Sequence, residues 1–223
     1  MKPKQHILFF VVFFILVFIE TIIANFEGLQ GLHYISKPLI VGSLIVYFFK
    51  NNKHLNSHTK KFTSLALIMS LIGDILLLFV YKSEYFFIAG LLAFLTAHIM
   101  YCLVFLKYRN ASTKPYVFIA LLLVYALGLF SVLKSGLGDL LIPVIIYMCV
   151  ILLMAVSAFL RRRKVNTTSF NFVFIGALVF MLSDSLLALN KFYEPLALAD
   201  FSIMFTYALA QLLIVLGLLK QQH

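Results

Sequence analysis

Eight long apolar runs follow one another along the chain, at about residues 7–24, 33–49, 62–81, 85–106, 116–133, 139–160, 170–190 and 197–219. Each is close to the ~20 residues that an α-helix needs to cross the hydrocarbon core of a bilayer. No water reaches the backbone in that core, so a spanning segment must satisfy its own N–H and C=O groups. The chain is therefore expected to be an all-α membrane protein with eight transmembrane helices in one bundle. Composition agrees: of 223 residues, 63% are hydrophobic and 12% charged, against about 45–50% and about 25% in soluble domains. No Pro-, Gly- or Ser-rich linker divides the sequence, so residues 1–223 read as a single membrane domain. The chemistry must then lie within the bilayer or just beside it.

The first run follows Lys2 and Lys4, as the apolar core of a signal peptide would. It is longer than such a core usually is, and no small-x-small cleavage site follows, so it reads as a retained first helix. The loops set the orientation. "KNNKHLNSHTKK" (50–61) holds four lysines, the segment 107–115 holds Lys107, Arg109 and Lys114, and "RRRK" spans 161–164. They alternate with loops that hold one lysine (Lys82, Lys134, Lys191) or none (25–32). Counting Lys2, Lys4 and Lys220, fourteen of the eighteen basic residues fall on one side. The positive-inside rule places that side, and both termini, in the cytoplasm. The expected location is the cell (inner) membrane. A net charge of +10 raises the question of a nucleic-acid partner. The excess is better read as this topology signal, which also suits contact with anionic lipid, so no nucleic acid is expected. Cys102 and Cys149 lie inside runs without metal-ligand spacing and read as packing residues.

A short internal duplication is visible. "GDILL" (73–77) in the third run matches "SDSLL" (183–187) in the seventh, and Pro38 near the start of the second is echoed by Pro143 near the start of the sixth. Four runs separate each pair, so the pattern allows two parallel four-helix repeats.

The carboxylates in that duplication carry most of the functional signal. Asp74 and Asp184 each sit in an apolar run, beside small residues (Ser70 and Gly73; Gly176 and Ser183) that suit close helix packing. If the third run ends near Tyr81, Asp74 lies seven residues, or ~10 Å, from its outer end at 1.5 Å per residue. Asp184 is likewise seven residues before Lys191, and Glu20 and Lys37 fall in the same layer. Three acids and one base there would leave an excess of negative charge in poor solvent. Burial and a neighbouring carboxylate both raise a carboxylic pKa, so at least one acid is expected to keep its proton near neutral pH. A proton donor beside an ionised partner is what general acid–base chemistry requires. The bland alternative is a satisfied polar cluster with Lys37 paired to an Asp. Intramembrane ionisable groups, however, mark functional sites by default.

His98 lies deeper. Gly90, Phe94, His98 and Tyr101 follow 4-4-3 spacing and share one helix face. This histidine suits a hydrogen-bonded bundle residue as well as it suits a direct role. It is the one histidine well inside a run, whereas catalytic zinc usually takes three protein ligands, often histidines. No metal and no cofactor are therefore expected. No phosphate-binding Gly-rich loop or GxSxG elbow is present either.

"SKPL" (36–39), "LIGDILLL" (71–78), Gly90 to Tyr101, "SDSLLALNKF" (183–192) and "YALAQLLIVLG" (207–217) occur in order over nearly the whole chain. Together they resemble the lysoplasmalogenase (YhhN-like) family. The resemblance implies an eight-span hydrolase that cleaves the vinyl ether of a lysophospholipid substrate, a lysoplasmalogen. Its products would be a fatty aldehyde and glycerophospho-ethanolamine or -choline. Vinyl ether hydrolysis proceeds by protonation at carbon and capture of the oxocarbenium ion by water. Asp74 and Asp184 can supply the acid and the carboxylate, in either order. Lys37 can hold the lipid phosphate or adjust an Asp pKa, and Tyr207 and Gln211 can orient the water or the glycerol. Glu20, His98, Tyr101, Ser183 and Asn190 complete the expected substrate-binding set. Two rival readings remain, a small proton-coupled transporter and a non-catalytic lipid-binding membrane protein. Against the first, neither Asp-bearing run is broken by Gly or Pro as transporter helices often are.

Overall fold

A computed structural model of the protein describes residues 3–25 and 30–222. Among them are eight α-helices and no strand: α1 (Pro3–Asn25), α2 (Gln30–Asn51), α3 (Ser57–Leu77), α4 (Glu84–Lys107), α5 (Tyr116–Leu133), α6 (Leu141–Phe159), α7 (Thr167–Phe192) and α8 (Ala199–Leu219). A 3₁₀ turn, Gly138–Leu140, leads into α6. Every apolar run lies mostly or wholly within one of these helices. Seven of the eight are long and apolar enough to cross a membrane. α3 is not among those seven, because Lys60, Lys61 and Asp74 interrupt its apolar stretch.

The third helix also departs from expectation at both ends. It starts at Ser57 rather than near residue 62, because Asn56 caps it: the Asn56 side chain accepts from the Thr59 N–H at 3.0 Å. Lys60 and Lys61 are thus helical rather than loop residues. It stops at Leu77, four residues before Tyr81. From there the N–H groups of Leu78, Phe79 and Lys82 reach back only three residues, at 3.2, 3.0 and 2.9 Å. Tightening into i→i−3 bonds is a common way to end a helix without a capping residue. Asp74 is therefore three residues, not seven, from the end of its helix, while Asp184 is eight residues before the end of α7.

The helices form two compact units, residues 1–100 and 101–223, with the boundary inside α4. In the first, α1 packs on α2 and α2 on α3, around Phe13, Ile40, Leu44, Phe48 and Leu67, all fully buried. Gly73 of α3 lies under the Phe94 ring of α4, where a Cβ would come within 2.6 Å of the ring. In the second, α7 packs along α8 and α6 against α7. Two glycines let α7 and α8 close up. A Cβ at Gly176 would lie 3.0 Å from the Ile214 nitrogen, and one at Gly217 would lie 2.8 Å from the Val173 nitrogen. Small residues at such crossings allow backbones to approach in a membrane, where van der Waals contact replaces the hydrophobic effect as the adhesive. The outer faces are apolar: Val117, Val124 and Leu127 of α5 are 77%, 70% and 68% exposed. Exposed apolar surface over buried polar groups is the arrangement for a protein solvated by lipid.

One basic residue of "RRRK" is not a loop charge. Arg161 is fully buried, lies 5.6 Å from the Phe105 ring centroid, and donates to Ser169 Oγ at 3.0 Å and Gln221 Oε1 at 2.8 Å. It ties the end of α6 to the first turn of α7 and to the C-terminal segment. Loss of hydration lowers its pKa to about 9.

Candidate functional site

In the first unit, Glu20 of α1 is completely buried and is held from α2. The Ser36 hydroxyl donates to Glu20 Oε2. His33 Nδ1 lies 2.7 Å from Oε1, an electrostatic contact whose angle is not that of a hydrogen bond. Ser36 and His33 sit three residues apart, so one face of α2 presents both to the carboxylate. On α3, Asp74 is 1% exposed and Ser70, one turn earlier, is fully buried. Lys37 is half-buried, and among the described residues no carboxylate pairs with it. Among the described residues it is thus a histidine, not Lys37, that stands beside Glu20.

In the second unit, Asp184 of α7 is half-buried and accepts from the Tyr147 hydroxyl of α6, Oη to Oδ2 2.6 Å. The neighbouring Ser185 accepts from the Tyr125 hydroxyl of α5 at 2.6 Å and donates to the Met181 carbonyl at 2.7 Å. Ser183 donates to the Ile203 carbonyl at 3.0 Å, joining α7 to α8. The "SDS" triplet therefore anchors three helices, with the central carboxyl fixed by a phenol. Tyr207 is buried and meets the Phe180 ring edge-on at 5.5 Å between centroids. Tyr101 donates to Gln211 Oε1 at 2.6 Å, and both are fully buried. Gln211 and Tyr207 share one face of α8, a turn apart. His98, fully buried, belongs to the first unit.

The expected site residues thus divide into two groups. Glu20, Lys37, Asp74 and His98 belong to the first unit, and Tyr101, Ser183, Asp184, Asn190, Tyr207 and Gln211 to the second. Asn190 has a structural role, since its Oδ1 accepts from the Leu196 N–H at 2.9 Å and shapes the turn before α8. Three residues that sequence reasoning did not single out touch the buried acids or their serine, namely His33, Tyr147 and Tyr125. A buried tyrosine hydroxyl needs a partner, which is the signal that Tyr147 offered; Tyr125 is 38% exposed and offered none. Among the described residues no three His, Cys, Asp or Glu side chains gather as a metal-holding group.

Eight helices among the described residues, seven of them able to span, define a multi-pass all-helical membrane protein. The chain belongs to the YhhN family, whose model matches residues 32–218. It is similar to a human (Homo sapiens) protein named lysoplasmalogenase TMEM86B, with 34% identity over 155 residues, or 70% of this chain and 62% of the human one. The chain thus spans less than two thirds of that relative's length. No solved structure matches it.

Proposed function

We propose that the protein is an intramembrane hydrolase that cleaves the vinyl ether of lysoplasmalogens, releasing a fatty aldehyde and a glycerophospho-ethanolamine or -choline. Family membership and the name of the human relative support the substrate class. The observation that carries the chemistry is the Asp184 carboxyl, inside an apolar helix yet oriented by the Tyr147 hydroxyl at 2.6 Å. A group whose direction is fixed before substrate arrives costs little reorganisation during reaction.

In this mechanism one of Asp74 and Asp184 delivers a proton to the β-carbon of the vinyl ether. The electron pair of the double bond forms the new C–H bond, and an oxocarbenium ion develops at the α-carbon. The other carboxylate stabilises that cation and takes a proton from the attacking water. The hemiacetal then collapses: the second carboxyl gives its proton to the departing glycerol oxygen and the first takes the proton of the hemiacetal hydroxyl. Aldehyde and the free glycerol hydroxyl form, and both carboxyls regain the state they began in. Lys37 serves the lipid phosphate. Tyr207 and Gln211 orient water or glycerol, with Gln211 itself held by Tyr101. The alkenyl tail lies between helices or in lipid.

Purified protein in detergent is expected to release aldehyde from a pure lysoplasmalogen, and to do so undiminished in the presence of a chelator. No aldehyde from any lysoplasmalogen would return the transporter and lipid-binding readings to the front. Activity abolished by chelator and restored by zinc would remove the metal-free mechanism.

The loop charges support cytoplasmic termini in a cell-membrane protein. A cysteine placed by Lys220→Cys should resist a membrane-impermeant thiol reagent added to intact cells. Labelling from outside would reverse the orientation.

A further inference from the structure

Just beyond α3 lies a group of aromatic rings that the hydrolytic mechanism does not use. Tyr34 of α2 donates its hydroxyl to that of Tyr81 at 3.0 Å, which ties the turn after α3 to α2. The Tyr34 and Phe79 rings are 5.5 Å apart between centroids, and Phe79 is 5.6 Å from Phe86 of α4. The group faces outward, with Tyr34 38% and Tyr81 69% exposed. It also holds a cation already. The Lys82 ammonium stands 4.9 Å from the Phe79 ring centroid and 5.8 Å from that of Tyr81. Both distances are within the ~6 Å over which a ring face attracts a cation.

We propose that Tyr34, Phe79 and Tyr81 form an aromatic cradle for the cationic headgroup of the lysolipid, the ammonium of ethanolamine or the quaternary ammonium of choline. Lys82 occupies it in the absence of lipid and gives way when substrate enters. The inference rests on the lysoplasmalogen reading above and adds to it the element that selects the headgroup. Three observations favour an ammonium over any other ligand. Ring faces present negative charge, and a primary ammonium is seated on them now. No carboxylate of the described residues pairs with Lys82 to hold it elsewhere. The cradle also lies at a suitable height. Asp74 lies three residues before the end of α3 and Phe79 two residues beyond it, so the cradle stands at the same end of the helix as the carboxyl.

The test compares kcat/KM for a choline lysoplasmalogen with that for the same vinyl ether carrying a bare phosphate. The wild-type chain should favour the choline lipid. Phe79→Leu and Tyr81→Leu should each shrink that preference by roughly two- to five-fold, the order expected for losing one cation–π face at an exposed site. Lys82→Met, which withdraws the resident ammonium, should enlarge it. An unchanged preference in both aromatic variants, or its loss in Lys82→Met, would overturn the cradle while leaving the hydrolase intact. If the wild-type chain releases no aldehyde, the hydrolase reading falls and the cradle is judged by binding alone. Thermal stabilisation by lysophosphatidylcholine should then exceed that by lysophosphatidic acid, and Phe79→Leu should abolish the difference. Equal stabilisation by the two lipids would overturn it.

Discussion

Asp184→Asn should lower turnover of a lysoplasmalogen by at least ~10²-fold, the lower end for loss of a general acid or base. The amide matches the carboxyl in size, and its oxygen can still accept from Tyr147, now 2.6 Å from Oδ2. What disappears is the titrating proton and the negative charge that an oxocarbenium ion needs beside it. The variant should therefore insert and melt like the parent, with the loss confined to kcat. Tyr147→Phe is the companion. It leaves the carboxyl in place but frees its orientation, so a smaller fall, roughly ten-fold, is expected from misplacing a group by a fraction of its reach. Both are read from kcat in one detergent, with thermal melting as the folding control. A structural role for Asp184 would give the opposite order, a lowered melting temperature with turnover per folded molecule preserved.

The largest effect on stability is expected at the α7–α8 crossing. In Gly176→Leu the new Cβ would fall 2.9 Å from Ile214 Cγ1, 3.0 Å from the Ile214 nitrogen and 3.1 Å from the Ala210 carbonyl. In Gly217→Leu it would fall 2.7 Å from Val173 Cγ2, 2.8 Å from the Val173 nitrogen and 3.0 Å from Phe172 Cβ. Two of the three neighbours at Gly176, and one at Gly217, are backbone atoms that no rotamer change can move. The helices must separate, and the contacts along α7 and α8 go with them. Overpacking usually costs 1–3 kcal/mol, and here it should reach or exceed the upper end, about 3 kcal/mol. At this chain length that corresponds to a fall in Tm of roughly 10 °C. Gly73→Leu should do less harm, because the nearest atoms belong to the Phe94 side chain, which can rotate. Equal melting of the Gly176 and Gly217 variants with the parent would mean that α7 and α8 are not in close backbone contact.

Much of this was legible in the sequence, and the exceptions have physical causes. Apolar runs mark membrane helices because the bilayer permits little else, and α5 spans residues 116–133 as the run did. The end of α3 was not legible. "DILLLFVYK" stays apolar past Leu77, and hydropathy cannot tell a helix from the i→i−3 turns that follow it. Charge counting likewise read Arg161 as a loop residue, although it is buried against Ser169 and Gln221. The acids stood out because a lone carboxylate in an apolar run is costly. Their partners did not. Tyr147 precedes Asp184 by 37 residues and His33 follows Glu20 by 13 in the sequence, so only the fold reveals which hydroxyl or imidazole each acid meets. The family resemblance drawn from short motifs extends over residues 32–218, a span that takes in Asp74, Asp184 and the aromatic group at 79–82.

The central claim is that Asp74 and Asp184 work as one acid–base pair, and a double-mutant cycle tests it most directly. Turnover is measured for the parent, Asp74→Asn, Asp184→Asn and the double variant, each shown by melting to be folded. Groups that act as a unit are strongly non-additive, so each single variant should lose at least ~10²-fold and the double should be little worse than either. Near-parental turnover in either folded single variant, or a double loss equal to the product of the two, would contradict the paired mechanism.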